Sequence, residues 1–194
     1  IFQIQGGYAL VMLTQNSLIG VRDPYGIRPL VIGKLGKSYV LASETCALDI
    51  IGAKFIRVVE NGEIVLIENE KLTSIKPFPL KKVRPCVFEY IYFARPDSII
   101  DNKTAYEHRK NIGIELAKEN DVNADIVVPV PDSGNAAALG FAQHLNMNYE
   151  HGLIRNHYVG RTFIEPSQKI RSLGVKLKLN ANKTTIKDKK IILI

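Results

Sequence analysis

The stretch "ADIVVPVPDSGNAAALG", residues 124–140, decides the fold class. Its first half is a continuous apolar run of strand length, the pattern of a β-strand covered on both faces rather than one. Its second half is helix-like, with Asp132, Ser133 and Asn135 available to cap the helix start. A buried strand running directly into a helix is half of a parallel α/β unit. Working outward completes the order. "TAYEHRKNIGIELAKEN" precedes it and predicts a helix with Tyr106, Ile112, Leu116 and Ala117 near one face. "YEHGLI" follows as a short strand, then a basic region over 155–182, then "KKIILI" as a further buried strand. Strand, helix, strand, loop, strand implies a parallel sheet. In such sheets ligands gather at the carboxyl ends of strands, where helix amides converge. "VPVPDSG" therefore reads either as a ligand loop or as an ordinary capped junction.

The first half has a different texture. "GYALVMLT", "LIGVRD", "LVIGKL", "KSYVLAS" and "EIVLIENEKLTSIKPF" are short β segments separated by turn residues, the last a hairpin around "NE". Closely spaced strands of this kind form antiparallel sheet. "ETCALDIIGAKF" predicts a short helix. "RDPYGIRPL" is a tight turn opened by Asp23-Pro24 and closed by Gly26, with Arg22 and Arg28 placed to pair with Asp23 or Glu44. "PFPLKKVRP" carries three prolines and marks the boundary, so residues 1–78 form one part, 79–85 a linker and 86–194 a second part.

Composition narrows the classes. The 194 residues are 46% hydrophobic and 23% charged, as in globular proteins. No apolar run approaches the roughly 18 residues that cross a bilayer, and the N-terminus has no signal pattern. Cys46 and Cys86, forty residues apart, form no CxxC pair, which predicts a reducing, cytoplasmic setting. Cys46 beside Glu44 has no histidine within the surrounding fifty residues and reads as an inert thiol. The four histidines, at 108, 144, 151 and 157, lack zinc spacing. The net charge of +7 is concentrated in the second half. Aromatic content of 8% without tryptophan offers little for stacking on nucleic acid bases. "RNHYVGRTFIEPSQKIR" instead interleaves Arg155, His157, Arg161, Lys169 and Arg171 with Tyr158, Phe163 and Ile164. That mixture suits a loop that folds over an anionic ligand, its arginines bonding phosphate and its aromatics excluding water.

"GGYALVML", "RDPYGIRPL", "ASETCALD", "FEYIYFARPDS", "VPVPDSG" and "NHYVGRTFIEPSQKIR" occur in one order across essentially the whole chain. Together they resemble the glutamine phosphoribosylpyrophosphate amidotransferase (amidophosphoribosyltransferase) family, which catalyses the first committed step of purine synthesis. The resemblance implies the end of an N-terminal-nucleophile (Ntn) αββα glutaminase domain followed by the start of a type I phosphoribosyltransferase domain. It implies glutamine, phosphoribosylpyrophosphate (PRPP) and Mg²⁺ as reactants and cofactor, purine nucleotides as feedback inhibitors, and a homo-tetramer. Neither nucleic acid nor membrane is an expected partner. It further implies that the nucleophilic cysteine precedes Ile1 and that an acidic phosphoribosyl loop follows Ile194, so that this segment alone lacks both half-reactions.

Residue by residue, Tyr158, Arg161, Thr162 and Phe163 match the loop that closes over PRPP, and Lys178 a basic residue near its far end. Tyr92 and Phe88 match aromatics near the ammonia channel. Asp132 and Ser133 match the first substrate loop. Gly134 stands where some relatives carry a hydroxyl near Mg²⁺; glycine leaves only backbone or water for coordination. Cys86 matches a cysteine that ligates a [4Fe–4S] cluster in some relatives, while other relatives keep it without a cluster. Two other readings compete. One is a non-enzymatic phosphoribosyltransferase-like regulator binding PRPP or nucleotide and nucleic acid. The other is an asparagine-synthetase-type Ntn enzyme, which "YVGRTFI" does not fit.

Overall fold

The computed structural model describes every residue except Leu80, in the expected linker, and Asp121. The chain divides into two compact units, Ile1–Ala105 and Tyr106–Ile194. Residues 86–105 therefore fall within the first unit.

The first unit contains two antiparallel sheets. Strands β1 (Ala9–Leu13), β2 (Leu18–Arg22), β6 (Ile64–Glu68) and β7 (Lys71–Ile75) form one, in the order β1-β2-β6-β7. Strands β3 (Val31–Leu35), β4 (Ser38–Ala42) and β5 (Lys54–Val58) form the other, in the order β4-β3-β5. The β6–β7 hairpin turns at Asn69 and Glu70, both at positive φ (47° and 61°), the twist that a two-residue hairpin requires. Leu30, Ile32, Val59 and Val65 make a buried cluster with Ala9, Tyr39, Leu41 and Leu72 packed on it. Because these come from both sheets, the sheets pack face to face. Helix α1 (Thr45–Ile50) covers the opposite face of the β3 sheet through Leu48, against Val31, Ala53, Val40 and Ala42. Residues 81–86 have no regular structure, and Arg84 N–H donates to the Tyr25 carbonyl at 2.8 Å. A π-helical turn, Glu89–Phe93, follows; the Ala94 N–H donates to the Glu89 carbonyl five residues back. The short strands β8 (Ile99–Ile100) and β9 (Lys103–Thr104) end the unit.

The turn at 23–28 is held differently from the sequence expectation. Arg22 and Arg28 do not pair with Asp23 or Glu44. The buried Asp23 carboxylate accepts from the backbone N–H groups of Tyr8, Tyr25, Ile27 and Arg28 at 3.0–3.3 Å. Arg22 donates to the carbonyls of Arg28, Val59 and Gly26, and Arg28 meets Glu89 at 2.8 Å. A carboxylate that satisfies backbone donors within its own turn leaves the flanking guanidinium groups free to reach other elements.

The second unit opens with helix α2 (Ala105–Glu119). Strands β10 (Ile126–Val128), β11 (Asn148–Tyr149) and β14 (Ile191–Leu193) form a parallel sheet in the order β11-β10-β14, and helix α3 (Asn135–His144) leaves the end of β10. All three β10 residues are buried, as a central parallel strand requires. Val127, Ala138, Phe141, Ala142 and Ala117 form the core, with Ile192 and Ile194 packed on it. The terminal "IILI" is thus covered on one face only: Ile191 and Leu193 are exposed. On α2 the predicted face is also displaced. Tyr106, Ile112 and Leu116 are exposed, whereas Ala105, Gly113 and Ala117 are buried. Small residues won that face because the backbones of α2 and α3 touch there. A Cβ on Gly113 would run into the Ala137 carbonyl, and one on Gly140 into that of Lys110.

Strands β12 (Leu153–Arg155) and β13 (Leu179–Ala181) form an antiparallel pair. Between them lies helix α4 (Gln168–Lys178), which starts just after Pro166 with the Ser167 hydroxyl accepting from the Ile170 N–H. Helix α5 (Lys183–Ile186) leads toward β14.

Candidate functional site

The second unit's site is built at the carboxyl ends of β10 and β14. The chain leaves β10 through Pro129, and the Val130 N–H donates to the Ile194 carbonyl at 2.6 Å. The Gly134 N–H then turns back to the Val130 carbonyl at 2.9 Å. A side chain on Gly134 would strike the Ile194 carbonyl. Glycine is present because the loop presses its backbone onto the end of the neighbouring strand. The peptide between Pro131 and Asp132 is cis.

None of the expected caps is used. The N-cap of α3 is Gly134, with no side-chain bond, and Asp132 is instead ion-paired to Arg155 at the end of β12. That pair joins the loop after β10 to the neck of the basic segment. The Asn135 Oδ1 and the Arg155 Nε are buried without a hydrogen-bond partner, a costly arrangement for polar atoms.

The basic segment, residues 156–178, is closed at its neck by the Asn156 N–H donating to the Lys178 carbonyl at 2.8 Å. Above this neck nothing is fully covered. Tyr158 is 100% exposed and Phe163 73% exposed, and α4 buries no residue. Thr162 lies over α4 at Gly174, where a Cβ would come within 3.0 Å of its methyl group. Apolar side chains left in water beside Arg161 have little holding them in place, so this segment belongs to the low-stability end of the unit. Among the predicted residues, Asp132, Ser133 and Gly134 share one loop, and Tyr158, Arg161, Thr162, Phe163 and Lys178 share one flap. Arg155, which links them, was visible in the sequence only as one cation among several.

In the first unit, Phe88 and Tyr92 are 54% and 65% exposed on or beside the π-helical turn. A cavity of about 330 Å³ lies within this unit, lined in part by Arg22, Glu44, Cys86, Glu89, Tyr90 and Asp101. Tyr90 donates to Asp101 at 2.5 Å; burial first, and this carboxylate second, push its hydroxyl up to about 12. Glu44 accepts from the Arg95 N–H and the Ser98 hydroxyl, at 2.7 and 2.6 Å, and stands 3.7 Å from the Cys46 sulfur. Cys46 is buried and carries no catalytic geometry.

The described residues do not by themselves make a metal centre. Among the described residues no group of three or more His, Cys, Asp or Glu side chains converges to hold an ion. Asp132 is committed to Arg155, and Gly134 offers only backbone. Cys86 is a half-buried free thiol; with Cys46 the chain supplies at most two of the four thiolates that a [4Fe–4S] cluster takes.

An antiparallel two-sheet unit followed by a parallel α/β unit defines a mixed α/β protein. No family model matches the chain. Among curated proteins, the chain is similar over nearly its whole length to amidophosphoribosyltransferases. It is 55% identical over 197 residues to that of Rhizobium etli, covering 99% of this chain and 40% of that protein. It is 52% identical to that of Synechocystis, covering 97% and 39%. The glutamine PRPP amidotransferase of B. subtilis, solved in complex with ADP and GMP, superposes with a TM-score of 0.88 at 47% identity, over 97% of this chain and 42% of that one. The chain thus spans about two fifths of the length of the relatives it matches. No helix among the described residues is long and apolar enough to cross a membrane.

Proposed function

We propose that the full-length protein is an amidophosphoribosyltransferase. It hydrolyses glutamine at a cysteine nucleophile and passes the ammonia to PRPP; the C1–N bond forms as the C1–O bond to pyrophosphate breaks, giving 5-phosphoribosylamine. On this reading residues 1–78 are the end of an Ntn glutaminase part, 79–85 the link, and 86–194 the start of a type I phosphoribosyltransferase part, with 86–105 packing back within the first unit. The observation that carries the reading is the exposed flap at 156–178. Arg161 and the aromatics of the flap lie uncovered above a neck that is tied, through Arg155 and Asp132, to the loop at the carboxyl edge of the parallel sheet.

In that role Arg161 offsets the charge of the pyrophosphate. Tyr158 and Phe163 bury themselves on closure and expel water, so that ammonia rather than water reacts at C1. Asp132 and Ser133 bound the substrate loop, and the pyrophosphate competes with Asp132 for Arg155. Lys178 extends the positive field from the flap's far end. Phe88 and Tyr92 form part of an apolar path, which neutral ammonia crosses more readily than ammonium. Mg²⁺ accompanies PRPP as substrate complex, and purine nucleotides compete for the same phosphate-binding surface. The test is Arg161→Ala in the full-length protein. PRPP-dependent turnover is expected to fall by about tenfold or more, the value of one charge-assisted contact in a closed site. Unchanged turnover would remove the flap from the reaction.

A further inference from the structure

The sequence sets a glutamate inside an apolar aromatic run, "FEYIYF", and the function described so far leaves that residue unused. In the structure Glu89 is buried at the start of the π-helical turn. Its nearest charge is Arg28, at 2.8 Å, from the turn at 23–28. The Oε1 that makes this contact has no aligned hydrogen bond, so the attraction is Coulombic, and burial outweighs it in setting the carboxyl's direction, which is upward. The same guanidinium lies over the Phe93 ring, 5.1 Å from its centroid. Residues 89 and 93 are four apart, and in a π turn this spacing brings both side chains to the same side of the helix. Phe93 in turn touches the two candidate channel aromatics: its centroid is 5.9 Å from that of Phe88 and 6.2 Å from that of Tyr92.

Arg28 is itself fixed at both ends of its peptide. Its N–H donates to Asp23 Oδ2 at 3.0 Å, and its carbonyl accepts from Arg22 Nε at 2.9 Å. The turn at 23–28 therefore delivers one guanidinium to a defined point beside the aromatic segment. We propose that Arg28 is a positioning residue for ammonia transfer: through Glu89 and Phe93 it sets the orientation of Phe88 and Tyr92. This rests on the channel reading of those two aromatics and adds the device that aims them.

The experiment uses the full-length protein and measures phosphoribosylamine formed per glutamine hydrolysed. A second measurement supplies ammonium from solution, which bypasses any internal path. Arg28→Met keeps the apolar stem and removes the charge and the ring contact. Its product per glutamine should fall about two- to fivefold, the factor that one partly exposed cation–π contact represents. Turnover with external ammonium should hold, a split that general destabilisation would not give. Arg28→Lys should restore part of the ratio, because it returns the charge without the planar group. Tyr92→Ala serves as the reference. If it lowers the ratio and Arg28→Met does not, the positioning role is wrong and the channel stands. If neither lowers it, the channel reading falls and takes this inference with it. Should Arg28→Met fail to fold, Phe93→Leu carries the test: a lowered ratio supports the relay and an unchanged ratio overturns it.

Discussion

Replacing Glu63 by glutamine tests how the first unit is held together. Glu63 is fully buried, and its carboxylate accepts from Arg57 Nη1 and Nη2 at 2.8 and 2.6 Å, from the Glu60 N–H at 2.6 Å and from the Ser74 hydroxyl at 2.6 Å. Burial alone would raise its pKa, but Arg57, Ser74 and the Glu60 amide together bring it from 4.5 down to about 2. Arg57 shifts the complementary way, upward, chiefly through its bond to Glu63. A fall from 4.5 to about 2 corresponds to about 3 kcal/mol of stability, at about 1.4 kcal/mol per pH unit. Breaking a buried pair costs about 3–5 kcal/mol, and the 35% exposure of Arg57 lets water recover part of that, favouring the low end. Because the folded pKa is depressed, the contribution is present above the unfolded value of 4.5 and is lost as pH falls through about 2. The amide in Glu63→Gln does not titrate. Urea unfolding should therefore show a gap of about 3 kcal/mol between the parent and Glu63→Gln at pH 7, narrowing steadily below pH 4.5. Hydrogen exchange at the Glu60 amide should quicken in the variant at pH 7. A gap that stayed constant from pH 7 to pH 3 would refute the reasoning, since the lost interaction would then not be that of a carboxylate.

Gly113→Ala should lower the melting temperature of the second unit. The added methyl meets the Ala137 carbonyl, and overpacking of about 1–3 kcal/mol exceeds the gain of about 1 kcal/mol in helix propensity; a raised melting temperature would show that α2 and α3 can separate freely. Tyr92→Ala should release glutamate without matching phosphoribosylamine, and stoichiometric product at every glutamine concentration would argue against a channel role for this ring.

The parts of the fold that sequence made legible are those where one local rule dominates. "IVV" followed by "PVPDSG" and an alanine-rich helix could only be a central parallel strand and its crossover, and β10 and α3 are there. Asn69-Glu70 announced its hairpin. The misreadings arose where a side chain's partner lies far along the chain. Asp132 looks like a helix cap because its spacing to α3 is right, yet Arg155, twenty-three residues on, takes it. Tyr106, Ile112, Leu116 and Ala117 look like a buried stripe, yet of these only Ala117 is buried, and closeness to the α3 backbone selected Gly113 beside it. Arg28 was given the wrong partner and Glu89 escaped notice for the same reason, although a lone acid among five apolar and aromatic neighbours is a signal that it has a cation beside it.

The central claim is that residues 156–178 close over PRPP. Backbone hydrogen exchange of the full-length protein, with and without PRPP and Mg²⁺, measures this directly. The account predicts new protection concentrated in the flap, from Tyr158 through Lys178, and in the loop at 132–134, with little change across β1 to β7. Exchange in the flap that is as fast with PRPP as without it would contradict the account.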